Sequence, residues 1–156
     1  MRELTERLKS AVDSAVIETL ELMTFEEAEP CSESKAAQFR TRPVICSKIE
    51  ILEPFKGVLL TALSLAAAEK LAASLFNQKN LPPDLLLDFS GELSKTVVGR
   101  FLRNLLSPSS DFRFTMPVTV SGALPPLQEL SAEYFYIIGD DKLLSVSLAG
   151  GGFKEF

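Results

Sequence analysis

The sequence predicts an α+β domain. Two long helical repeats flank or interrupt groups of shorter alternating segments, and those segments fall into hairpin-like pairs with turn residues between them. At 156 residues with 46% hydrophobic and 24% charged side chains, the chain has material for one continuous core, so residues 1–156 are expected to form a single domain.

The first helix is expected from Glu3 to Met23. Leu4, Leu8, Val12, Val16 and Leu20 recur at a four-residue step that keeps one helix face apolar over about five turns. Residues 24–37 follow with Pro30, two serines and four glutamates, which reads as a polar loop. Val44–Leu52 and Gly57–Leu63 then alternate as strands, with Pro54 and Gly57 punctuating the hairpin and Pro43 marking a break or bulge near an edge. The Ser64 hydroxyl is placed to cap an Ala-rich helix running through Phe76.

Asn77 to Pro83 reads as a turn into a second long helix, Pro83 to Leu106, which starts on prolines and stops before Ser107-Pro108. Three further strands are expected at Phe112–Val120, Ala132–Ile138 and Leu143–Leu148, the last two joined at Gly139-Asp140-Asp141. The element order is thus α, β, β, α, α, β, β, β. Gly150-Gly151-Gly152 opens what reads as a flexible tail, residues 150–156.

Composition narrows the chemistry. With 16 basic and 21 acidic residues the formal charge is −5, which leaves no bulk positive surface for nucleic acid. The absence of histidine removes the commonest metal ligand and the commonest general base near neutral pH, so no metal site is expected. The charged N-terminus is unlike a signal peptide, and no apolar run is long enough to span a bilayer, so no membrane partner is expected. A cytoplasmic location follows, in which Cys31 and Cys46 stay reduced.

On a helical wheel Leu86, Phe89, Leu93, Val97, Phe101 and Leu105 share one side of the second long helix. Asp84, Asp88, Glu92, Lys95, Gly99 and Arg103 form a stripe on the other, facing solvent or a partner. Taken alone, Glu92 and Lys95 are an ordinary i,i+3 ion pair on a solvated helix. Gly99 argues against leaving it there: a glycine inside an exposed helix costs about 1 kcal/mol relative to alanine, and bare backbone lets another surface come close.

The run Asp88-Phe89-Ser90-Gly91-Glu92-Leu93-Ser94-Lys95-Thr96-Val97-Val98-Gly99 resembles the helix signature of the CheC, CheX and FliY phosphatases. That signature places an aspartate or serine, three residues, a glutamate, two residues, an asparagine, then about twenty-two residues and a proline. Asp88 and Glu92 match, Lys95 takes the asparagine position, and Pro117 follows after twenty-one residues. The first helix holds no second Glu-x-x-Asn, so the resemblance is to CheX, with one centre, rather than to CheC.

The resemblance implies a mostly antiparallel six-stranded sheet with both long helices on one face, and a homodimer paired through sheet edges. It implies as partner the aspartyl phosphate of a CheY-type receiver domain, in chemotaxis or another two-component circuit. The Mg²⁺ would be the receiver's, with no cofactor carried by this chain. Glu92 would pair with the receiver's lysine, while the asparagine amide would orient a water for in-line attack.

An ammonium has three donors and no acceptor, so Lys95 cannot accept a hydrogen bond from that water. Thr96 is the hydroxyl best placed to substitute, and Pro117 is expected to shape the neighbouring strand. The residues leave three readings open: a receiver phosphatase with weakened hydrolysis, a non-catalytic receiver-binding scaffold, and an unrelated cytoplasmic interaction domain.

Overall fold

The computed structural model describes residues 2–32, 34, 37, 42–123, 127–139 and 141–156. Helix α1 spans Arg2–Thr24 and buries Leu8, Ala11, Val12, Ala15, Val16 and Leu20, the face its four-residue step predicts. It ends in a paired turn, with Phe25 N–H donating to Glu21 O and Glu26 N–H to Leu20 O, and Phe25 in the left-handed region at φ 60°.

Among the described residues seven strands form one antiparallel sheet: β1 (Ala28–Cys31), β2 (Val44–Glu53), β3 (Gly57–Ser64), β4 (Arg113–Phe114), β5 (Val118–Gly122), β6 (Leu130–Ile138) and β7 (Lys142–Ala149). The order across the sheet is β1-β6-β7-β3-β2-β4, and β5 also pairs with β2. Strands β4 and β5 follow one another along the same side of β2. Ile51 and Glu53 face β4, whereas Val44 to Lys48 face β5. The seven strands therefore occupy six positions, which agrees with the expected six-stranded sheet.

Several local expectations need correction. The polar segment 24–37 is not loop throughout, because Ala28–Cys31 pairs with β6 as an edge strand. Phe112–Val120 is not one strand: it breaks at Met116-Pro117, where a proline has no amide proton for the ladder. Pro43 precedes β2 directly, and β2 is an inner strand with β4 and β5 beyond it. In the β6–β7 turn Gly139 is left-handed at φ 68°, while Asp140 lies outside the described residues.

The C-terminus departs most from expectation. Gly151–Glu155 forms a 3₁₀ turn that drives Phe153 into the core at 2% exposure. Its ring sits edge-on to Phe55 at 5.2 Å and tilted to Phe101 at 6.2 Å. A Cβ on Gly57 would come within 2.6 Å of that ring, so the glycine makes room for the plug. Arg7 lies over the Phe156 ring at 5.7 Å and ties the tail to α1.

Helix α2 (Leu65–Phe76) starts as the sequence predicts, with the Ser64 hydroxyl accepting from Ala67 N–H, and stops at left-handed Asn77. Helix α3 (Pro83–Leu105) has Pro83 in its first turn and buries Leu86, Phe89, Leu93, Val97, Phe101 and Leu105. Helices α1, α2 and α3 pack on one face of the sheet, against Ile45, Ile49, Leu59, Leu63, Leu144, Val146 and Leu148. A smaller cluster of Val44, Cys46, Leu60, Ala62 and Leu143 lies on the opposite face. Cys31 and Cys46 stand four strand positions apart, about 19 Å at the usual interstrand spacing, and cannot bridge to each other.

Candidate functional site on helix α3

Helix α3 is held in register by contacts with α1 and β3. Arg100 pairs with Glu18 of α1 at 3.1 Å, and Asn104 donates to Ala11 O at 3.3 Å. Ser94, buried, shares a 2.9 Å hydrogen bond with Thr61 of β3. Ser90 donates to Leu86 O. The two serine bonds satisfy the polar groups that the helix buries, and the four together fix which residues point outward.

What points outward is the predicted stripe. Asp84, Asp88 and Glu92 are exposed, Lys95, Thr96 and Gly99 are half-exposed, and Arg103 is exposed. Lys95 Nζ lies 3.5 Å from Glu92 Oε1, with side-chain exposures of 35% and 62%. Such a contact in water is worth a few tenths of a kcal/mol, so the Glu92 carboxylate is readily available to a competing cation.

Thr96 is less available than its position promises, because its hydroxyl donates to Glu92 O at 2.9 Å, as helix hydroxyls commonly do. Arg103 stacks over the Phe112 ring at 4.7 Å, a platform that the stripe pattern alone does not reveal. Asn104 cannot replace the missing amide, since its side chain is spent on α1.

The structure also explains the proline. A Cβ on Gly91 would meet Thr119 Oγ1 at 3.2 Å and Pro117 Cγ at 3.4 Å, so β5 and its leading proline rest on α3 beside Glu92. Thr119 Oγ1 in turn lies 2.9 Å from Ser47 Oγ on β2. Pro117 thus lies against α3 at Gly91. The one sign of Gly91 in the sequence is a glycine in mid-helix next to Glu92.

Among the described residues no group of three or more Cys, Asp or Glu is placed to hold a metal ion, and no helix is long and apolar enough to cross a membrane.

No protein-family model matches the sequence, and no curated protein matches it. Solved structures do match. Chemotaxis protein CheX from Vibrio vulnificus superposes with a TM-score of 0.75 at 17% identity, covering 91% of this chain and 95% of that one. CheX from Desulfovibrio desulfuricans gives 0.72 at 11% identity, covering 91% and 97%. The CheX–CheY–BeF₃–Mg²⁺ complex from Borrelia burgdorferi gives 0.67 at 15% identity, covering 90% and 95%. By fold, this chain is a CheX-like α+β domain.

Proposed function

We propose that the outward stripe of α3 docks a phosphorylated receiver domain of the CheY type, and that Lys95 leaves hydrolysis of the aspartyl phosphate weak. The observation that carries this reading is the Glu92 carboxylate, 62% exposed at the centre of the stripe, where its ion pair with Lys95 is a long one at 3.5 Å. A receiver lysine competes with Lys95 for that carboxylate on equal chemical terms. Lys95, once displaced, donates to a phosphoryl oxygen and stabilises the phosphorylated form. It offers no lone pair to an attacking water, so the in-line geometry that an amide would impose is missing.

Mg²⁺ comes with the receiver in this scheme, and the chain contributes side chains alone. The setting is cytoplasmic, in chemotaxis or a related two-component circuit. The non-catalytic scaffold is the limiting case of the same docking, reached when turnover falls to the receiver's own rate.

A homodimer completes the proposal. Of the two sheet edges, β1 carries Pro30, which has no amide proton to offer a further strand. Strand β5 leaves Val118 and Val120 66% and 52% exposed beside Met116 at 69%, so β5 is the edge assigned to self-pairing. Val120→Lys is expected to convert the dimer to monomer in analytical ultracentrifugation.

The test is a titration of the protein with BeF₃-activated and unmodified CheY-type receivers, alongside phosphate release from the phosphorylated receiver. Wild type is expected to bind the activated receiver and to accelerate hydrolysis little; Lys95→Asn should raise the rate on the order of 100-fold. Glu92→Ala should abolish binding. Rapid hydrolysis by wild type with no gain in Lys95→Asn would refute the role given to Lys95, and no binding to any activated receiver would refute the docking itself.

A further inference from the structure

Helix α3 contains two glycines, and only one is explained by the protein's own packing. At Gly91 a Cβ would crowd Thr119 and Pro117, so the protein's own packing gives that glycine a reason. At Gly99, among the described residues and outside its own helix backbone and chain neighbours, a Cβ would meet nothing within 4 Å, and the backbone there is ordinary right-handed helix. Alanine at 99 would favour the helix, yet the position is bare. Gly99 lies one turn beyond Lys95 and one turn before Arg103 on the same outward face.

The side chains on either side lean away from it. Lys95 is drawn back toward Glu92, and Arg103 is drawn to the Phe112 ring. The result is a strip of uncovered helix backbone with a cation at each end, directly alongside the Glu92–Lys95 pair. Such a gap suits an oxygen-rich element: a loop presenting main-chain carbonyls or a carboxylate toward two cations, close enough that a Cβ would obstruct it.

We infer that Gly99 is the clearance point at which an acceptor-rich loop of the receiver seats on α3 between Lys95 and Arg103. The inference rests on the proposed receiver docking and adds the shape that docking requires. Gly99 is a positioning residue here: it touches the partner's loop and leaves the phosphoryl chemistry to Glu92 and Lys95.

The experiment compares Gly99→Ala, Gly99→Leu, Glu92→Ala and wild type for thermal midpoint and for affinity toward a BeF₃-activated CheY-type receiver. Gly99→Ala is expected to raise the midpoint by about 2–4 °C, because helix propensity improves and nothing clashes. Gly99→Leu is expected to stay folded and to weaken receiver binding about tenfold or more, with Gly99→Ala between it and wild type. If Gly99→Leu binds as wild type does while Glu92→Ala does not bind, the clearance role is wrong and the docking reading stands. If wild type binds no activated receiver, both fall. A lowered midpoint for Gly99→Ala would show that the fold itself needs the glycine, and would also overturn the inference.

Discussion

Lys95 Nζ stands 3.5 Å from Glu92 Oε1, one helical turn back along α3, and this pair occupies the centre of the outward stripe of the helix. Because both groups are wet, opening the pair costs little, and the first prediction concerns stability. Lys95→Asn should shift the unfolding free energy by less than about 0.5 kcal/mol in urea denaturation. Any change in receiver binding or hydrolysis can then be assigned to the face rather than to folding. A loss well above 1 kcal/mol would instead make Lys95 a structural residue.

Beneath that face, Ser94 and Thr61 satisfy each other at 2.9 Å in a buried seam between α3 and β3. Ser94→Ala should therefore destabilise by about 1–3 kcal/mol, since the Thr61 hydroxyl loses its partner where little water can replace it. The double replacement Ser94→Ala with Thr61→Val should cost less than the two single changes summed, because no orphaned hydroxyl remains. Denaturant titration of the four proteins in the cycle measures the coupling; simple additivity would show that the bond contributes nothing.

The same contrast between local and distant causes sets what the sequence reveals. Both long helices are legible because their apolar step matches the helical period, and the outward stripe follows from the same geometry. Glu92, Lys95 and Gly99 emerge on the surface as the wheel places them. Strand β1 is hidden because it is a short edge strand whose partner, β6, lies over a hundred residues away, while its Glu29 and Pro30 read as loop. The split between β4 and β5 has only Pro117 as a local sign, since the alternation runs on through both. Gly91 is intelligible only once Thr119 and Pro117 lie on it. The reason for each lies in a partner segment, which no local period encodes.

The C-terminal glycines show the opposite error, in which small residues that permit close approach read as flexibility. Phe153 is 2% exposed between Phe55 and Phe101, and removing its ring leaves a cavity under the β2–β3 hairpin. Phe153→Ala should cost about 3–5 kcal/mol, and truncation before Gly150 at least as much. Loss of cooperative unfolding, or a midpoint shift of many degrees, is the expected calorimetric result. A truncated chain as stable as the full one would restore the flexible tail.

Cys46 gives a pH signature independent of the α3 face. The residue is 2% exposed, and burial pushes its thiol from 9.0 up to about 11. The fold prefers the neutral thiol, so the corresponding stability is complete below pH 9, where the unfolded chain is also protonated. Between about pH 9 and 11 the unfolded thiol ionises while the folded one does not, and that stability drains away as pH rises. Urea midpoints for wild type and Cys46→Ala should therefore run parallel up to pH 9, then converge or cross as wild type loses its advantage. Thiol-reactive reagents at pH 8 should modify Cys46 only at the rate of local or global opening, far slower than in urea. Curves that stay parallel through pH 11, or immediate labelling of Cys46 in the native protein, would place this thiol at the surface rather than in the sheet's second core.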